Sequence, residues 1–189
     1  MGYKRIDLSK NHRLERLLTT EDMINKFQIT NSGLVLLNAF IPKLFENLDI
    51  VENDSFISDE AQQNSAAYLQ FLASGITEYK PQDLVLNKVL CGLVIAEELP
   101  NSFTISEAHK DEMDSLITAV IGHWRALGSL SIEGFRGNWL QRAGLLIEHP
   151  NHFELIVEKY TFDILLDTVP MSYSMVNFPW MPKPIMVDW

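Results

Sequence analysis

The sequence predicts an α+β protein: a helical N-terminal lobe of about five helices followed by a small, antiparallel, β-rich C-terminal tail. Three observations predict it. Between residues 31 and 142, apolar residues recur at three- and four-residue steps, the spacing of one helix face. After Gly144, Phe153, Leu155 and Val157 are interleaved with Glu154 and Glu158, the period-2 pattern of a half-buried strand. Pro170, Pro179, Pro182 and Pro184 then crowd the end of the chain, where they confine strands to edge or irregular positions because proline cannot donate to a ladder.

Residues 1–30 are polar and charge-dense. Lys4, Arg5, Lys10, Arg13 and Arg16 outnumber Asp7 and Glu15 ahead of a weak helix from about Thr20 to Phe27, and the stretch reads as a connector. Residues 31–189 read as one domain, helical over 31–142 and β-rich over 143–189. Leu34, Leu37, Ile41, Leu44, Phe45 and Leu48 share a face, with a kink or fresh start required at Pro42. Ser58 suits the N-cap of a helix carrying Ala61, Ser65, Leu69 and Leu72, which Gly75 closes. A short apolar segment, Leu84 to Leu93, holds Cys91 and Gly92.

The longest helix is predicted from about Ile105 to Leu127, opened by a capping box of Thr104 and Glu107. Met113, Leu116, Ile117, Val120, Ile121, Trp124 and Leu127 form its apolar stripe, opposite Lys110, Asp111 and Asp114. A shorter helix capped by Ser131 turns Ile132, Phe135, Trp139 and Leu140 inward. Phe162 to Val169 fits a strand or a short helix, and Tyr173–Phe178 and Ile185–Trp189 look extended.

Composition narrows function. The 189 residues carry 15 Lys plus Arg against 25 Asp plus Glu, a net charge of −10. An acidic surface argues against nucleic acid and disfavours an anionic membrane. A chain this long buries roughly 70% of its extended surface, enough for a core without staples. The lone Cys91 excludes an intrachain disulfide and a Cys-based zinc cluster. Apolar runs such as Leu34–Ile41 fall far short of the ~20 residues a bilayer needs. The start has no secretory apolar block, and Ile6 stands where myristoylation wants Ser or Thr, so the expected location is the cytoplasm.

No catalytic constellation is legible. His149 and His152, with Glu148 and Glu154 nearby, could ligate a metal weakly, but a third or fourth ligand is missing and Pro150 and Asn151 suggest a surface turn. His123 beside Trp124 has no nucleophile to serve, and Cys91 in its apolar stretch reads as a small core residue. Asp163 and Asp167 share a face only on a helix, where salt bridges are the simpler role. Phosphate loops, zinc-protease helices and nucleophile elbows are absent from the sequence. The expectation is a non-enzymatic protein with no cofactor, no metal and no small-molecule substrate. Two features point elsewhere: Arg136 and Arg142 flanking Trp139, and Pro179-Trp180-Met181-Pro182 with Trp189 at the end. Trp, Arg and Met are enriched at protein interfaces; alternatively the tryptophans cap a small core and the arginines pair with acidic residues.

Ordered blocks of the sequence carry a resemblance. They are Asn31-Ser32-Gly33-Leu34-Val35-Leu36-Leu37 running into Phe40-Ile41-Pro42, Leu69-Gln70-Phe71-Leu72, and Leu84-Val85-Leu86-Asn87-Lys88-Val89-Leu90-Cys91-Gly92. His123-Trp124-Arg125-Ala126-Leu127 and the Phe135-to-Arg142 segment follow, then Asp163-Ile164-Leu165-Leu166-Asp167, Pro179-Trp180-Met181 and Val187-Asp188-Trp189. Over roughly residues 31–189 the chain resembles the C-terminal region of contractile injection system tape measure proteins, which belong to phage-tail-like particles. Arg136 and Arg142 keep the family pattern; an Arg is usual near Asn64 or Ser65, and a second Trp where Met171 stands.

The resemblance implies a structural domain that docks at the baseplate end of the inner tube and helps set tube initiation and length. Its partners would be hub, spike or tube proteins, with several copies around the particle axis. Location would be cytoplasmic during assembly and inside the particle afterwards. The candidate interface residues are Arg136, Trp139, Arg142, Trp180, Met181 and Trp189. Even wholly helical, the chain would span only ~280 Å, and folded it is a few tens of ångströms across, so it is not itself an extended ruler. The alternative is a stand-alone adaptor or chaperone for particle subunits or cargo.

Overall fold

The computed structural model describes residues 25–100 and 103–189. Strand β1 (Lys26–Ile29) comes first, then a 3-10 segment (Ser32–Leu37) and α1 (Ile41–Asn47). Pro42 falls in the first turn of α1, where its missing N–H is not needed, so the chain takes the fresh start its sequence requires. A small hairpin follows, β2 (Val51–Glu52) and β3 (Ser55–Phe56), turned by Asn53 and Asp54 at positive φ. Helix α2 (Asp59–Ser74) is capped by Ser58, whose hydroxyl accepts from Ala61 N–H, and ends on Gly75 at φ 75°. A 3-10 turn (Pro81–Leu84) leads into α3 (Val85–Leu90).

The longest helix, α4, spans Glu107–His123, shorter at both ends than the sequence suggests. Its N-cap is Ser106, which accepts from His109 N–H, rather than Thr104. Trp124 leaves the helical region and a 3-10 turn (Arg125–Leu127) replaces the last turn. Helix α5 (Ile132–Phe135), capped by Ser131, widens into a π turn over Arg136–Leu140. The remainder is β4 (Gly144–Glu148), β5 (Phe153–Val157), a 3-10 segment (Thr161–Thr168), β6 (Met175–Val176) and β7 (Ile185–Asp188).

The expected order, a helical lobe followed by an antiparallel tail, is not the one the chain adopts. Helices and strands are mixed. The main sheet has the strand order β1-β4-β5-β7-β6, and β2–β3 form a separate two-stranded sheet among the helices. Strand β1 precedes all the described helices yet pairs with β4, and β7 runs parallel to β5, so the sheet is mixed. The weak helix expected from Thr20 to Phe27 ends inside β1; its earlier part, like the basic residues 4–16, lies outside the described residues.

These departures have local causes. Four residues of β1 carry too short a pattern to declare a strand, and Ile29 becomes core only once β4 is beside it. The path from β5 to β7 is long enough for a parallel crossover. Pro182 and Pro184 precede the first paired residue of β7, and Pro184 contributes only its carbonyl, which accepts from Phe153 N–H. Strand β7 therefore lies inside the sheet despite its prolines.

One face of the sheet meets the helices. Leu146, Phe153, Leu155, Val157, Val176 and Ile185 point into a core shared with Leu34, Phe45, Leu69, Val120 and Phe135. The opposite face, read from the register, carries Leu145, Ile147, Ile156, Met175 and Met186, none of which belongs to that core.

Candidate functional site

The six candidate interface residues fall into two groups in the sequence, and the fold joins them at one point, where Trp189 packs on Arg142. Arg136, Trp139 and Arg142 follow α5; Trp180 and Met181 lie in the loop before β7, and Trp189 directly follows it. Arg142 is 0% exposed and Arg136 only 6%, so both guanidiniums do their bonding inside the fold.

Arg142 sits in an aromatic cage. Its guanidinium carbon lies 3.8 Å from the centroid of Tyr160, 5.3 Å from Phe162 and 5.2 Å from Trp189. Its Nη2 donates to both carboxylate oxygens of Asp163, at 2.9 and 2.7 Å, and to the Glu158 carbonyl at 2.9 Å. Nη1 donates to the Asn138 carbonyl. Asp163 also accepts from Tyr160 N–H and from the Trp189 indole at 3.0 Å, so the last side chain of the chain is bonded to the same carboxylate. Both Nη groups are matched and only the buried Nε lacks an acceptor, and losing either the guanidinium or the carboxylate would leave the other uncompensated.

Arg136 ties two helices together. Its Nε donates to the Leu72 carbonyl near the end of α2, and Nη2 reaches Asp114 of α4 at 2.7 Å, with Phe71 beneath the guanidinium. Trp139 is 2% exposed and packs its ring 4.6 Å from that of Trp124, whose indole donates to Thr168. Around Trp139, Ala126, Leu127, Leu130, Asn138, Phe162 and Leu165 line an open groove of about 280 Å³.

Trp180 is half-buried. Its indole donates to the Leu90 carbonyl at 2.8 Å, and its ring packs against Phe45, Phe56 and Phe178. Met181 is 8% exposed, and its sulfur accepts from Phe178 N–H. The Trp180 carbonyl comes so close to Gly92 that a Cβ there would lie 2.3 Å from it, and Gly92 is also at φ 71°. Only glycine fits that position.

The candidate chemical residues separate as well. Cys91 is fully buried, and burial pushes its thiol up to about 12, with a Ser65 hydrogen bond opposing; at neutral pH it is a thiol. His123 is the exposed last residue of α4. His149 and His152 lie in the β4–β5 turn with rings stacked 4.5 Å apart at 12°, and His149 Nε2 is 3.1 Å from Glu154. Stacked rings carry their lone pairs side by side rather than toward one point. Among the described residues no group of three or more His, Cys, Asp or Glu is placed to hold a metal. Asp163 is taken up by Arg142, and Asp167 is exposed.

Glu148 beside them is held below the usual carboxylate range by hydrogen bonds from Lys183 and Asn25. Among the described residues no helix is long and apolar enough to cross a membrane.

Two features escaped the sequence reading. Asn31, Gln70 and Asn87 form a buried amide network, Asn31 Nδ2 lying 2.8 Å from Asn87 Oδ1 and 3.0 Å from Gln70 Oε1. Three amides scattered over three segments give no periodic signal. The second is the outward apolar face of the sheet, which the alternation in β4 and β5 could have disclosed if both phases had been followed.

The model of one protein family, described as contractile injection system tape measure protein, matches residues 7–189. No curated protein matches the chain, and no solved structure does.

Proposed function

The chain belongs to the contractile injection system tape measure protein family, and from that premise we propose that it docks at the baseplate end of the inner tube, where tube growth starts and length is set. The observation that carries the reading is a family match running over residues 7–189 of a chain folded around one shared core. The family is one of structural proteins of the injection particle, acting in association with its other components. A folded unit of this kind suits the fixed end of a ruler rather than its extended part.

The partners in this reading are hub, spike or first-ring tube proteins, with several copies around the axis. Assembly takes place in the cytoplasm, and the domain ends inside the particle. Of the six candidate residues, the outer edges of Trp180 and Trp189 remain open to a partner. Trp139 floors the groove it shares with Phe162 and Leu165. The arginines hold these surfaces in shape.

Electron microscopy of particles from cells lacking this segment tests the reading. Missing tubes or tubes of uncontrolled length are expected. Normal particles of normal length would overturn it and favour an adaptor that leaves before assembly ends. Trp180→Ala separates docking from folding: a docking residue loses assembly by more than it loses thermal stability, whereas equal losses would make it a core residue only.

A further inference from the structure

The sheet covers its helices with one face and leaves the other without a layer from the described chain. Two rows of side chains cross that open face, as the strand register dictates. One runs Lys26, Ile147, Glu154, Met186, Met175; the other runs Gln28, Leu145, Ile156, Asp188. Met175 is 54% and Met186 43% exposed, and Leu145, Ile147 and Ile156 are half-buried without joining the core. An antiparallel sheet facing water normally alternates to polar residues there, so an apolar centre on that face marks a contact surface.

We propose that this face pairs with the same face of a second copy of the chain, about a twofold axis running along β4. An isologous contact must be self-complementary, and this face is. Rotation about that axis lays β4 on β4, so Leu145 and Ile147 meet their own counterparts. It also lays β1 over the other copy's β5. Lys26 then stands over Glu154, and symmetry makes the pair twice.

In that arrangement the stem of one copy's Lys26 lies along the other copy's Met186 while its ammonium reaches the Glu154 carboxylate. Glu154 is otherwise a carboxylate set between Ile147 and Met186, with His149 as its partner on this chain. No other pairing of the two rows about a strand axis brings both ion pairs and both apolar contacts together.

The contact is small. Three strands at about 4.8 Å spacing and about 15 Å length give roughly 200 Å² of flat face per copy, well under the ~800 Å² of a stable interface. The dimer is therefore weak in dilute solution and matters where copies are held together, since confinement raises their effective concentration to the millimolar range. The inference does not depend on where in the particle the domain docks.

Sedimentation of the full chain from about 10 to 500 µM, the span of a weak association, tests it. Mass rising with concentration toward a dimer is expected. Lys26→Glu and Glu154→Lys should each weaken association at least about tenfold, because two attractive pairs become repulsive. The double variant carrying both changes should restore it.

Thermal melting of each variant confirms that these surface changes leave the fold intact. A chain that stays monomeric throughout, or a dimer indifferent to both reversals, would overturn the proposal and leave the face to a different protein. So would a folded double variant that fails to recover.

Discussion

Without its guanidinium, Arg142 would leave the Asp163 carboxylate facing a space walled by Tyr160, Phe162 and Trp189. Arg142→Ala should therefore cost about 3–5 kcal/mol in urea unfolding, the penalty for an orphaned buried charge. Arg142→Lys should recover only part of that, since an ammonium cannot serve Asp163 and the Asn138 carbonyl from two nitrogens at once, nor stack as a plane on Tyr160. Full stability in the lysine variant would show that charge alone matters.

Cys91 makes a prediction of a different kind. Its thiol is neutral in the folded protein until about pH 12 but ionises near pH 8.5 once unfolded. A raised acid pKa contributes stability below the unfolded value and loses it as pH rises toward the folded one. Between those limits the wild type should lose about 1.4 kcal/mol per pH unit relative to Cys91→Ala, read as the difference between their unfolding curves. Parallel curves would mean that the thiol is not sealed in the core.

At the scale of elements, caps and close approaches can be tested one by one. Ser58→Ala and Ser106→Ala should each cost about 1 kcal/mol, whereas Thr104→Ala should cost close to nothing, because Ser106 is the hydroxyl that caps α4. Thr104 and Glu107 satisfied the capping-box spacing, yet Ser106 holds the cap, so the motif located the helix start to within two residues and missed the atom. Gly33 is the tightest junction: a Cβ there would lie 1.7 Å from the Trp139 carbonyl, so the 3-10 segment after β1 presses directly on the π turn after α5. Gly33→Ala must push backbone against backbone, and thermal melting should show a loss of several kcal/mol, at the large end for a single substitution.

The helices with their own punctuation were legible: Ser58 with Gly75, Pro42 at the start of α1, and Ser131 ahead of α5. Phe153, Leu155 and Val157 were legible as a strand because one phase of their alternation is buried. Strand β1 was not, since a four-residue strand carries no period of its own.

For the whole molecule, β1 binds the start of the described chain into the sheet that closes it. Removing residues 1–30 should strip Ile29 from the core and expose the β4 edge, lowering the melting temperature and promoting aggregation. An unchanged melt would show that β1 is an accessory strand.

The sequence by itself determined the acidic charge balance, the helix starts, the alternating strand and the family resemblance. All of these are written in composition, local spacing or ordered blocks. Only the tertiary structure decided that β1 joins β4, that β5 and β7 run parallel, and that Arg136 and Arg142 point inward to Asp114 and Asp163. Those outcomes depend on residues from 21 to 121 positions apart meeting in space. Periodicity reports which face of an element is apolar, not which distant element will cover it.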